Sequence, residues 1–489
     1  MKLYLIGHDY RYAAEQMLLT LFPDERPEYP DAPAPGDGVT IALHRGARVA
    51  TVTCRLRRDG AVCRGRATVP IAALTDAVTE DRLLSRAVKR AFYRAALRAG
   101  VAPPVWGALT GVRPGKLMEA LLAQGLSDRA AARRFRAEFD VSPERTALCL
   151  RTAHAALDAA RSLSPRDICL YVGIPFCPTR CAYCSFVSQS IAQSMALIQP
   201  FFDALLRELH ATAEAVRAAG LRVVSLYVGG GTPTTLSAAQ LDALFCALED
   251  GFDLSALREA TVEAGRPDTI CPDKLETLAR HGVRRISVNP QTMDDRVLET
   301  IGRRHTAQDV HDALARTRAV GGFAVNMDLI AGLPGDTAAG FRRTVDAVLA
   351  LAPENITVHT LARKRGSGLA ESAAPLPAAE DVGAMLDYAA RQLMNAGYAP
   401  YYLYRQKFMS GGFENVGWTK PGFENLYNLC IMEELCSIVA MGGGASTKLV
   451  APGGRIRRGF APKYPKEYID GIARVCAAKR DIVDWYAAP

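Results

Sequence analysis

Cys177, Cys181 and Cys184 stand in the run Gly173-Ile-Pro-Phe-Cys-Pro-Thr-Arg-Cys-Ala-Tyr-Cys-Ser-Phe186. Thiolates bind soft metals, and the CxxxCxxC spacing lets three of them hold three irons of a [4Fe–4S] cluster, where an electron-transfer cluster takes four cysteines. Three ligands leave one iron open, and an open coordination position is where a metal centre does chemistry. The alternative is a structural zinc site. Such sites use two separated Cys/His pairs, and no second C-x-x-C or H-x-x-x-H occurs.

A second chemical segment, Gly229-Gly-Gly-Thr-Pro-Thr234, directly follows the apolar Leu226-Tyr-Val228. Successive glycines let backbone N–H groups approach a ligand closely, although a glycine triplet alone also reads as a plain turn.

The elements that position these segments follow from periodicity. From Ile168 onward, short apolar strands alternate with amphipathic helices. Strands are expected at Ile168–Phe176, Val223–Gly229, Ala260–Ala264, Arg285–Asn289, Ala324–Ile330 and Ile356–Leu361. Helices are expected at Pro200–Ala219, Ser237–Glu249, Pro272–His281, Ala307–Val320 and Ala338–Leu351. Strand–helix alternation calls for a parallel sheet with right-handed crossovers, and six units curl into a partial barrel. Its active site belongs at the C-terminal ends of the strands, where the cysteine run falls. Glu263 and Asp328 lie at apolar strand ends facing that mouth.

The expected organisation has three parts: an α+β region over 1–165, the α/β partial barrel over 166–375 and an α/β extension over 376–489 that covers the substrate. Short strands such as Val49-Ala-Thr-Val-Thr-Cys54 open the first part, with a hairpin turn at Gly60 and helical periodicity after residue 81. In the last part, Tyr398-Ala-Pro-Tyr-Tyr-Leu-Tyr-Arg-Gln-Lys407 mixes aromatics, at least half of them core, with an Arg-Gln-Lys face suited to an anionic or flat substrate.

A chain of 489 residues exceeds one compact core, and 49% hydrophobic with 22% charged residues is ordinary for a globular protein. The apolar run in Met1-Lys-Leu-Tyr-Leu-Ile6 is too short for a signal peptide, and no stretch reaches membrane-span length. With twelve scattered cysteines, this leads to an expected cytoplasmic location. Cys169, Cys246, Cys271, Cys430, Cys436 and Cys476 read as buried apolar fillers. A net charge of +8 decides no partner by itself. The Arg-rich stretches after Cys54 and Cys63 alternate like a solvated strand face, so nucleic acid is not the expected partner.

The cysteine run resembles the signature of radical SAM enzymes. In these, S-adenosylmethionine (SAM) chelates the open iron and is cleaved reductively to a 5′-deoxyadenosyl radical. The order and spacing of Tyr171, Gly229–Thr234, Glu263, Gln291, Arg303 and Asp328 resemble the oxygen-independent coproporphyrinogen III oxidase (dehydrogenase) family over about residues 165–365. The Trp106 loop and the Tyr398–Trp418 segment resemble its HemZ-like branch. The resemblance implies that Cys177, Cys181 and Cys184 ligate the cluster and that Gly230, Gly231 and Thr232 meet SAM. Glu263 would hold the SAM ribose hydroxyls, and Tyr171 and Tyr183 would line that pocket. Gly231, Thr232, Gln291, Arg303, Asp328 and Ala362 would frame a second SAM or whatever else occupies that space, so the resemblance implies one or two SAM.

The implied reaction is oxidative decarboxylation of two propionates of coproporphyrinogen III to the vinyl groups of protoporphyrinogen IX. A reductase or flavodoxin-type protein would supply electrons, and Arg363-Lys-Arg365 reads equally as a grip on substrate carboxylates or as a solvated loop. Two positions depart from the family pattern. Phe186 stands where its established enzymes have a fourth cysteine, and Gly173 where they tend to have His. The Cys-x-Tyr-Cys-x-Phe ending is also similar to HemW-like relatives, which are heme-binding chaperones and imply a second reading.

Overall fold

The computed structural model describes residues 1–30, 36–184, 189–362, 368–371, 375–406, 412–451 and 454–487. They form two compact units, one of Met1–Leu150 with Arg405 and Phe413, the other of Arg151–Tyr404 with Glu414–Pro489. Phe186, Arg363-Lys-Arg365 and Lys407 lie outside the described residues.

In the first unit, β1 (Lys2–Ile6), β2 (Gly38–Arg45), β3 (Val49–Arg58) and β4 (Ala61–Pro70) form one sheet in that order. The β3–β4 hairpin turns at Asp59 and Gly60, whose φ of 50° and 79° give the left-handed pair that a two-residue turn requires. Ala50, Val52, Cys54 and Leu56 are buried against α1 (Arg11–Leu21) and α2 (Ala77–Arg98), while Arg55, Arg64 and Arg66 face solvent. Asp76 starts α2 by accepting hydrogen bonds from the Val78 and Thr79 amides at 3.0 and 2.9 Å. Arg405 stacks over Trp106, with its guanidinium carbon 5.1 Å from the ring centroid, and donates to the Leu109 and Gly412 carbonyls. Arg405 is therefore buried by packing, not presented to a substrate as expected.

The second unit carries the alternating strands and helices. Strands β5 (Asp167–Ile174), β6 (Arg222–Gly230), β7 (Glu259–Val262), β8 (Arg285–Ser287), β9 (Ala324–Ala331) and β10 (Asn355–Thr360) pair in sequence order, all parallel. Helices α3 (Ile191–Ala218), α4 (Ala238–Gly251), α5 (Pro272–Arg280), α6 (Ala307–Val320) and α7 (Ala338–Ala350) intervene. Ser237 and Thr306 open α4 and α6 with reciprocal capping boxes. This is the expected α/β partial barrel of six strand–helix units.

After α8 (Ala379–Asn395), the chain extends both sheet edges. β11 (Ala399–Arg405) and β12 (Glu414–Thr419) add beside β10, and β13 (Ser437–Gly442), β14 (Ser446–Val450) and β15 (Ile456–Phe460) add beside β5. β12 runs antiparallel to β10 and β13 parallel to β5. Between β12 and β13, α9 (Leu426–Glu433) packs Tyr427 against Tyr171 and Tyr227 on the inner faces of β5 and β6. Tyr398, Tyr401, Tyr402 and Trp418 are core residues.

Candidate cluster and cofactor site

The cysteine loop leaves the C-terminal end of β5 and is held by the loops after the next strands. Phe176–Cys177 pairs with Gln189–Ser190. The Ala182 amide donates to the Ile301 carbonyl at 3.0 Å, and the Thr179 hydroxyl donates to the Gly302 carbonyl at 3.2 Å. Arg266, following β7, donates to Thr179 Oγ1 at 3.0 Å and lies 3.7 Å from Cys181 Sγ. The Thr232 hydroxyl is 3.5 Å from Cys177 Sγ.

Arg303 is buried, with Nη1 donating to the Asn289 carbonyl at 2.6 Å and Nη2 donating to the Tyr183 hydroxyl at 3.2 Å. Burial disfavours its charge, but nearby Tyr183 and Cys181 outweigh burial and raise its pKa. The donor set suits a thiolate-bound iron cluster. Three thiols are only part-buried, and cationic guanidinium groups beside them offset negative charge. The three sulfurs do not form a group within 4.8 Å of one another, and a four-iron cube, unlike a single ion, holds its ligand sulfurs well apart.

The glycine segment is shaped by this loop. A Cβ on Gly231 would lie 2.5 Å from the Phe176 carbonyl oxygen and 3.0 Å from that of Ile174, both backbone atoms. Gly231→Ala is therefore expected to destabilise the chain by about 1–3 kcal/mol through overpacking, read as a lower denaturation midpoint, and to reduce iron retained after reconstitution. Gly173 is also crowded. Its Cβ would meet the Gly443 carbonyl oxygen at 3.2 Å and the Tyr171 ring at 3.2 Å, and Gly442 (φ 97°) passes directly over its carbonyl. The departure from His at Gly173 thus coincides with the glycine turn after β13.

A second group gathers Glu263, just past its strand as expected, and Asp328, which lies within β9 and not at its end, paired across to Thr357 of β10. Glu263, immediately after β7, accepts a short hydrogen bond from the Tyr227 hydroxyl and one from the Gly230 amide at 3.3 Å. Burial, and secondarily the nearby Asp328 carboxylate, push its pKa up to about 7 against those hydrogen bonds. Asp328 accepts from Asn289 Nδ2 at 2.8 Å and from Asn326 Nδ2 at 2.9 Å, with His359 Nε2 at 3.9 Å. Burial would raise its pKa, but His359 and the hydrogen-bond donors win and hold it below the usual carboxylate range. Gln291 has φ 68°, donates its amide to the Asp328 carbonyl at 2.9 Å and is buried. A non-glycine residue in that conformation is strained, and such strain concentrates at functional sites.

Asn289 joins the two groups, with its side chain on Asp328 and its carbonyl on Arg303. Tyr171 stacks on Tyr227 at 6.2 Å and on Tyr427 at 6.0 Å. Ala362 is part-buried just beyond β10. Sequence reasoning missed Tyr227, Arg266, Asn289 and His359. It also missed His305, which is buried with neither ring nitrogen hydrogen-bonded to another described residue. Burial, then the neighbouring Arg303 and Arg266, push the His305 pKa down to about 4, so this ring is neutral near pH 7.

Residues 171–348 match the Radical SAM superfamily. Over 369 residues the chain is 38% identical to the oxygen-independent coproporphyrinogen-III oxidase-like protein HemZ of Bacillus subtilis, covering 74% of each chain. The chain belongs to the HemZ-like branch of the radical SAM superfamily. Members of that superfamily carry a [4Fe–4S] cluster and bind SAM, and these are the cofactors of this HemZ-like chain.

Heme chaperones HemW are also similar. The Lactococcus lactis protein is 31% identical over 284 residues, 56% of this chain and 68% of its own. The Escherichia coli protein is 26% identical over 313 residues, 64% and 78%. A solved structure of coproporphyrinogen III oxidase (HemN) from Escherichia coli matches the fold with TM-score 0.52 at 24% identity, covering 66% of this chain and 72% of that one. Among the described residues, no helix is long and apolar enough to cross a membrane.

Proposed function

We propose that this chain converts coproporphyrinogen III to protoporphyrinogen IX in the cytoplasm by oxidative decarboxylation of two propionate side chains. The observation that carries the reading is the HemZ likeness, 38% identity spanning 74% of both chains. When bound, the cluster and SAM supply a one-electron route to hydrogen-atom abstraction from the substrate carbon next to the pyrrole ring.

The chain's own residues hold and orient. Cys177, Cys181 and Cys184 ligate three irons, and Thr232 and Arg266 fix the loop that carries them. Gly230, Gly231 and Thr232 meet the amino end of SAM, and Tyr171 and Tyr183 line its pocket. Glu263 accepts hydrogen bonds from the ribose hydroxyls, a role suited to a carboxylate in a part-buried strand-end position. Gln291, Asp328 and Ala362 frame a second SAM. Arg303, already committed to Asn289 and Tyr183, acts there as a positioning residue. Residues 376–489 cover the tetrapyrrole bound at a barrel of residues 166–375, residues 1–165 form a distinct region, and a flavodoxin-type protein delivers electrons.

The HemW relatives support a second reading, a heme-binding chaperone that keeps cluster and SAM. Anaerobic incubation of reconstituted protein with coproporphyrinogen III, SAM and dithionite separates the two. Formation of protoporphyrinogen, read as fluorescent protoporphyrin after oxidation, is expected. Stoichiometric heme binding with unchanged coproporphyrinogen would replace this reading by the second.

A further inference from the structure

Cys169, Cys430 and Cys436 come together from three separate parts of the fold: the N-terminal half of β5, helix α9 and the residue before β13. Their sulfurs all lie within 4.8 Å of one another, and those of Cys169 and Cys436 are 3.7 Å apart. All three are buried in an apolar cluster with Val224, Leu426 and Ile438. We propose that these three cysteines form a site for a single thiophilic d10 metal ion, zinc(II) or copper(I), distinct from the CxxxCxxC loop.

The spacing carries the inference. Sulfurs bound to one zinc at about 2.3 Å and near-tetrahedral angles lie roughly 3.8 Å apart, which the Cys169–Cys436 separation matches. A four-iron cube does not fit between sulfurs so close. Soft sulfur donors in apolar surroundings select zinc(II) and copper(I) over harder cations. Each ligating sulfur binds as a thiolate, so ion entry expels three thiol protons to solvent, and zinc(II) leaves the smaller net charge of −1 in the buried site.

The site's place in the barrel assigns it a structural role. Cys169 shares the inner face of β5 with Tyr171, toward the N-terminal end of the strand and away from the cysteine loop. The ion would pin α9, whose Tyr427 stacks on Tyr171 and Tyr227, to the strand that leads into that loop.

The test uses the full chain with Cys177, Cys181 and Cys184 replaced by Ala, kept reduced and anaerobic. Titration with zinc(II), with copper(I) and with cobalt(II) as a spectroscopic stand-in for zinc is expected to show one ion bound per chain. Near-UV sulfur-to-cobalt charge transfer and a raised melting midpoint should accompany binding, and Cys430→Ser should lose all three signals. Cys246→Ser, at the exposed Asp242–Cys246–His281 group, should keep them. X-ray absorption of metal-loaded chain with these three cysteines intact gives an independent readout should Cys430→Ser not fold, with a sulfur-only shell expected. Failure to retain an ion against a competing chelator, retention unchanged in Cys430→Ser, or a nitrogen and oxygen shell would each overturn the proposal. Three thiols in simple packing contact is then the remaining description.

Discussion

Replacing Cys181 by Ala is expected to abolish reductive cleavage of SAM and to strip the chain of its cluster. Cys181 is the middle cysteine of the proposed ligand loop, and Arg266 and Arg303 both address it. Loss of an outer partner of a metal ligand typically costs about 10–100-fold, so removing the ligand itself should cost at least that much, to background. Iron and sulfide per chain, the visible absorbance of the cluster and 5′-deoxyadenosine formation are the readouts. The loop backbone is held by Thr179, Ala182 and Phe176–Cys177, so the variant should remain folded by circular dichroism. Cleavage at the wild-type rate in Cys181→Ala would mean the CxxxCxxC run does not hold the cluster.

Replacing Glu263 by Gln should have opposite effects on cofactor affinity and on stability. With a pKa of about 7 in the fold, the carboxyl is largely protonated at pH 6 and largely ionised at pH 8. Ribose hydroxyls donate more strongly to the ionised form, so SAM affinity should rise with pH through a midpoint near 7. Glu263→Gln should flatten that profile and weaken binding at pH 8 by about tenfold, the loss of one charge-assisted hydrogen bond.

The stability sign runs the other way. A folded pKa raised from 4.5 to about 7 means the folded chain binds the proton more tightly. Its stabilising contribution is full below pH 4.5 and is lost as pH rises through 7. That shift corresponds to roughly 3 kcal/mol at most. Because Glu263 is only part-buried, Gln should stabilise the cofactor-free chain at pH 8 by about 1 kcal/mol. Isothermal titration with SAM and thermal melts at pH 6 and pH 8 check both effects.

Much of the fold was legible because it is written locally. Each of the six barrel strands overlaps its expected span, and α6 matches Ala307–Val320 end to end. The capping residues Ser237 and Thr306 stand where the polar-to-apolar change places helix starts. The cysteine loop and glycine segment were legible because each is contiguous and follows an apolar strand.

What was not legible depends on register and long-range pairing. Tyr227 meets Tyr171 only because β5 and β6 pair with those residues opposite each other. Asn289 and His359 reach Asp328 across strand neighbours. Nothing within β13 announces that it pairs with β5, which lies more than two hundred residues earlier, and the Cys169–Cys436 contact follows from that pairing. Arg405 was misread because its polarity was visible and its partner, Trp106, lies about three hundred residues upstream. Cys246, expected to be a buried filler, is exposed on α4.

The most direct test counts two products in one anaerobic reaction of reconstituted chain, SAM, reductant and coproporphyrinogen III. One 5′-deoxyadenosine and one carbon dioxide are expected for each propionate lost, with neither formed by Cys181→Ala. Deoxyadenosine accumulating without carbon dioxide, while the tetrapyrrole is recovered unchanged, would contradict the account.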